Sequence, residues 1–70
     1  MAAPVSWLVV ERGWRVVDAK GEEVGHVDRV VGDENADIFE GIEVRSGLLS
    51  QSFVPAERIA SIVEGEIRLS

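Results

Sequence analysis

The chain has 70 residues, no cysteine, 13 acidic side chains against 7 basic ones for a formal charge of −6, and 46% hydrophobic residues. A chain of this length buries only about 60% of the surface it exposes when unfolded, which leaves one thin core and argues against a second domain or a large enclosed active site. There is no disulfide framework or Cys-based zinc site, the hydropathy is too high for disorder, the apolar stretches are too short to cross a bilayer, and the acidic balance repels phosphate backbones.

The opening run, Ser6-Trp7-Leu8-Val9-Val10, has no basic side chain ahead of it and no small-residue cleavage pattern behind it, so it reads as mature chain rather than an export signal. It is a strand closing a sheet, a short helix over the end of one, or a segment that docks on another subunit, and periodicity does not choose among these. Residues 1–12 are therefore set apart as an N-terminal extension, and 13–70 as one domain.

From Gly13 onward, glycines and charged turns punctuate short apolar runs, the spacing of an all-β protein. Trp14-Arg15-Val16-Val17 is a strand, Asp18-Ala19-Lys20-Gly21-Glu22 a reversal, and Val24 to Val31 the returning strand, so a β-hairpin is expected. Val24, Val27, Val30 and Val31 do not keep a two-residue period, and Gly25 sits among them, which predicts a bulge or a strongly coiled strand. After the polar Gly32 to Asp37, the run Ile38 to Arg45 alternates. Ile38, Ile42 and Val44 are expected on one face and Glu43 and Arg45 on the other, with Phe39 pointing away from the first set.

Ser46-Gly47 turns the chain, and Leu48 to Val54 returns as a fourth strand. Pro55 suits the start of one helical turn over residues 55–60, since its missing N–H is unpaired there anyway. Ser61-Ile62-Val63 and Glu66 to Leu69 then form a third hairpin across Glu64-Gly65.

The chemistry-bearing residues are few. His26 is the only histidine; it lies in a strand beside Gly25 and Val27 with no accompanying nucleophile pattern, and reads as a surface or rim residue. Ser46, Ser50 and Ser52 lie outside any Gly-x-Ser-x-Gly elbow and read as solvated strand positions. The two glycines of Gly21 to Gly25 belong to a hairpin, because phosphate-cradling loops need a longer glycine pattern opening a helix. No catalytic residue and no cofactor are expected.

Asp33, Asn35 and Asp37 stand at the first, third and fifth positions of a Ca²⁺-loop pattern. The sixth position, where glycine is required, is Ile38, and the twelfth, where a bidentate Glu is required, is Val44. A solvated acidic loop is the ordinary reading, and a weak cation site, with a small-ligand or cation-responsive regulatory domain that uses the Asp33 to Asp37 loop as sensor, is the alternative.

Trp7, Trp14, Phe39 and Phe53 are needed first for the core, where each buries some 150–250 Å², yet two tryptophans are more than a thin core easily hides. Either the N-terminal run covers Phe39 within the chain, or both belong to an interface, where aromatic residues concentrate. The candidate interface residues are Trp7, Leu8 and Phe39, with Leu48 and Leu49 beside the Ser46-Gly47 turn.

The run GWRVVDAKGEEVGHVDRVVGD, Gly13 to Asp33, resembles the first hairpin of a PRC-barrel domain: an apolar strand, an Asp-x-x-Gly-Glu turn, an apolar-Gly-x-Val step and a second strand ending in acidic residues. FVPAERIASIVEGEIRLS, Phe53 to Ser70, resembles that family's ending. The likeness covers roughly residues 9–70. It implies a small, strongly curved antiparallel β-barrel of about six short strands whose closure removes the open edges of a small sheet. Domains of this family occur in the H subunit of photosynthetic reaction centres, in a ribosome-maturation factor whose barrel binds a ribosomal protein, and as free-standing chains. What the resemblance implies is docking onto a larger assembly rather than catalysis. The expectation is a non-enzymatic, cytoplasmic interaction module that forms a homodimer or binds another protein, with neither nucleic acid nor an inserted membrane as partner.

Overall fold

In the computed structural model, which describes residues 4–47 and 50–70, six strands follow one another along the chain. They are β1 (Arg15–Val17), β2 (Glu23–Asp33), β3 (Ile38–Ser46), β4 (Ser50–Pro55), β5 (Ile59–Val63) and β6 (Glu66–Leu69). One 3-10 turn, Trp7–Val9, precedes them, and another, Ala56–Arg58, links β4 to β5. The strands form one curled, all-β sheet in the order β4-β3-β2-β1-β6-β5.

Local chemistry accounts for the reversals. At the first, Asp18 Oδ1 accepts from the backbone N–H groups of Lys20 and Glu22, both at 2.9 Å, while Gly21 supplies a φ of 86° that other residues rarely adopt. The Glu64-Gly65 turn joins β5 to β6, with Gly65 at φ 83°.

Two features depart from the expected barrel. β1 and β6 run parallel, with Val16 opposite Ile67, so the sheet is mixed where an antiparallel one was expected. In addition, among the described residues hydrogen bonds do not close the ladder, and β4 and β5 are its two ends. The chain passes directly from one edge to the other through the Ala56–Arg58 turn.

The curl comes from residues inserted into the ladder. Val24 and Asp28 are extra in β2, Glu40 in β3 and Ala60 in β5, each facing no partner of its own. An inserted residue bends its strand and reverses which side chains face inward beyond it. This explains the uneven valine spacing of β2: Val27 before the Asp28 bulge and Val30 after it both face the core. It also corrects the expectation for β3. Beyond Glu40 the parity flips, so Phe39 packs against the core while Ile38 is 53% exposed.

Val16, Val27, Ile42, Val44 and Ile67 make the buried cluster, with Val10, Trp14, Phe39, Val54, Ile62 and Leu69 among those packed around it. Val17 is equally buried but lies outside that cluster. The bend brings β3 close against β2 at Gly25. A methyl group there would stand 2.5 Å from the Arg45 carbonyl oxygen and 2.8 Å from Val44 Cγ1. Only a residue without a Cβ fits that approach.

Ile42→Ala is expected to lower the unfolding free energy by about 2–4 kcal/mol in urea denaturation, whereas Ile38→Thr changes it by less than about 0.5 kcal/mol. Equal costs would mean that β3 alternates without the Glu40 bulge. Gly25→Ala is expected to cost about 1–3 kcal/mol through forced separation of β2 and β3; an unchanged midpoint would contradict the close approach.

Candidate functional site

Trp7 organises one end of the molecule. Ser6 caps its 3-10 turn by accepting the Leu8 N–H on Oγ at 3.1 Å. The segment before it is tied to the edge of β5, since Pro4 bridges Val63 and the Val5 N–H donates to the Ile62 carbonyl at 2.9 Å. These anchors aim the Trp7 ring at Phe39. The two stack with centroids 5.1 Å apart and planes 14° from parallel, and both side chains are half-buried.

Gly32, the cross-strand partner of Phe39, makes room for that ring. A methyl group at Gly32 would stand 3.1 Å from Trp7 Cη2 and Cζ3. Asp37, in the left-handed region at φ 53°, accepts the Trp7 Nε1–H on Oδ1 at 3.4 Å. The N-terminal run is thus a short helical turn that covers Phe39 within its own chain. Leu8 and Val9, beside Trp7, remain 50% and 47% exposed.

The interface candidates therefore separate. Trp7 and Phe39 are brought together, against each other. Leu8 is free at the surface. Leu48 and Leu49 lie outside the described residues. The exposed apolar surface also includes three residues not among those candidates, Val24, Ile38 and Phe53. Ile38 was hidden from the sequence by the Glu40 bulge, and Phe53 turns its ring over the backbone of Gly41 rather than into the core.

The acidic loop is held by its own side chains. Asp33 Oδ1 accepts the N–H groups of Asn35 at 3.0 Å and Ala36 at 3.3 Å, and Asp37 Oδ1 holds the Trp7 indole. Among the described residues, no group of three or more His, Asp or Glu side chains is placed to hold a metal ion. His26 is half-exposed, with Nε2 3.8 Å from Glu23 Oε1, and Ser46, Ser50 and Ser52 are exposed at the strand ends and edge.

Charge on the outer face of β2, β3 and β4 is arranged in one network that sequence reading missed. The bulged Asp28, whose side chain is 18% exposed, takes Arg12 at 3.3 Å, Arg45 at 3.5 Å and the Gln51 amide at 3.0 Å. Gln51 also reaches Glu43 at 3.4 Å, and Glu43 accepts from Arg29 Nε at 2.7 Å. The signal in the sequence was the polar pair Asp28-Arg29 interrupting the valines. With most of these groups wet, each pair contributes only about 0–1 kcal/mol, so the network orients strands more than it stabilises them.

The family model for the PRC-barrel domain matches residues 12–70 of the chain. No curated protein matches it. Among the described residues no helix is long and apolar enough to cross a membrane.

Trp7→Ala is expected to lower stability by about 1–2 kcal/mol, from the lost stack and half-buried area, measured by urea denaturation. No change would mean that the N-terminal turn does not rest on Phe39. Millimolar Ca²⁺ is expected to leave the melting temperature where it is, and a rise of several degrees would show that the loop binds cations despite its internal hydrogen bonds.

Proposed function

Starting from the fact that the chain belongs to the PRC-barrel domain family, we propose that it is a non-enzymatic protein-docking module that also associates with itself, working in the cytoplasm. The observation that carries this reading is the exposed apolar surface. Leu8, Val9, Val24, Ile38 and Phe53 are left at 39–53% exposure around a core of six buried hydrophobic residues. Sidedness matters here, because Leu8 and Val9 sit on a turn that Trp7 fixes in place, so they are presented on a rigid support. Rigid apolar side chains bind with less ordering cost than mobile ones.

Charge points to the same class of partner. Arg12, Arg15, Arg29 and Arg45 are each paired with carboxylates of the chain itself. A net charge of −6, with four of the seven basic side chains so engaged, disfavours nucleic acid and anionic lipid. Binding then rests on apolar contact and backbone hydrogen bonds.

Sedimentation analysis at micromolar to millimolar concentration tests the self-association. The expected result is a mass above the 7.6 kDa of one chain, with the assembly strengthened as salt rises to about 0.5 M, because screening weakens repulsion between acidic copies while leaving apolar contact intact. A chain that stays at 7.6 kDa across that range would end the self-association half of the reading, and an assembly dispersed by salt would replace apolar contact with charge pairing.

A further inference from the structure

The two edges of the sheet are treated differently by the fold. The β5 edge is bulged at Ala60 and is bridged by Pro4 and Val5. By contrast, the far side of β4 has no strand against it among the described residues. It also lacks the usual protections against pairing, which are charge, bulges and interior proline. Ser50-Gln51-Ser52-Phe53-Val54-Pro55 carries no ionisable side chain, and its only proline is the last residue. Moreover, β3 and β4 form the one antiparallel pair whose register runs without a shift, from Gly41 opposite Pro55 to Ser46 opposite Ser50. The edge is regular, and every second residue of an edge strand turns its N–H and C=O outward.

We infer that β4 pairs antiparallel with β4 of a second copy, about a two-fold axis near Ser52, so that two six-stranded sheets become one. This rests on the proposed self-association and names the surface that produces it.

A second copy is the occupant favoured by charge. From Ser46 to Ala56 the sequence has no charged residue, in a chain whose net charge is −6. Behind the edge, Asp28 and Glu43 are already matched by Arg12, Arg45, Arg29 and Gln51. A charged peptide strand would find no complement there. A strand without charge fits, and β4 is such a strand. Two copies of β4 set no like charges opposite each other, the arrangement that most weakens cross-strand pairs. Antiparallel pairing of identical strands is also self-complementary, as a closed dimer requires. The Phe53 side chain, 52% exposed over Gly41, would meet its two-fold mate diagonally on the outer face, within reach of aromatic rings. Leu8 and Val9, on the N-terminal turn held by Phe39, would remain open to a different protein.

The experiment is sedimentation of the intact chain and four variants: Ser52→Lys, Ser52→Glu, Phe53→Lys and Leu8→Ser, each checked for folding by circular dichroism. The wild type and Leu8→Ser are expected at twice 7.6 kDa. Ser52→Lys and Ser52→Glu are each expected to be monomeric, and a mixture of the two to regain the double mass. Phe53→Lys serves if a Ser52 variant fails to fold, and is expected to be monomeric as well. A wild-type dimer that survives every β4 substitution overturns the β4 pairing and leaves self-association standing. A monomeric wild type overturns both. Folded Ser52 variants that are separately monomeric yet fail to combine overturn the antiparallel two-fold arrangement.

Discussion

The bend of β2 and β3 is the constraint on which the rest of this molecule depends. A strand of the length of β2, paired on both sides, would make a flat sheet with too little interior for a chain of 70 residues. Inserted residues at Val24, Asp28 and Glu40 curl it, and the absence of a side chain at Gly25 lets β3 close on it. The consequence is a core built from small side chains, four of them valine and two isoleucine. Curling gathers all of these except Val17 into one cluster.

The same bulges decide what lies on the surface. Glu40 sends Phe39 inward and Ile38 outward, and Phe39 then offers a platform on which Trp7 can rest. Because Gly32 faces Phe39 across the strands, the indole reaches the backbone as well as the ring. An aromatic laid across a glycine restores packing that the missing side chain would have supplied, and Phe53 over Gly41 repeats the arrangement on the opposite face. One aromatic fastens the N-terminal segment, and the other stays half out of the structure on the edge strand β4.

Hairpins and turns were legible in the sequence because their causes are local. Asp18 and Gly21 fix a reversal through their own backbone chemistry, and the Glu64-Gly65 turn is equally self-contained. The family resemblance followed from that order of turns. The parallel contact of β1 with β6 was not legible, since it joins residues about fifty positions apart with no pattern peculiar to the pairing. The faces of β3 were misjudged for a related reason. Alternation predicts sides only when no residue is inserted, and the bulge at Glu40 depends on how β2 and β3 meet in three dimensions. Of the candidate interface, Trp7 and Phe39 were linked through an alternation that set Phe39 away from the core and in need of cover by the N-terminal run; the two do stack, but with Phe39 packed against the core. The role of Asp37 as an acceptor for the indole left no trace in a loop that reads simply as acidic.

The most direct test of this account is the proton environment of Gly32 in a nuclear Overhauser spectrum of the intact chain. If the bulged sheet seats Trp7 where described, the Gly32 α-protons show contacts to the Trp7 indole and are displaced upfield by its ring current, while Phe39 ring protons contact the same indole. Gly32 protons at ordinary shifts, with Trp7 contacting neither Gly32 nor Phe39, would contradict the parity flip at Glu40 and the fastened N-terminal turn together.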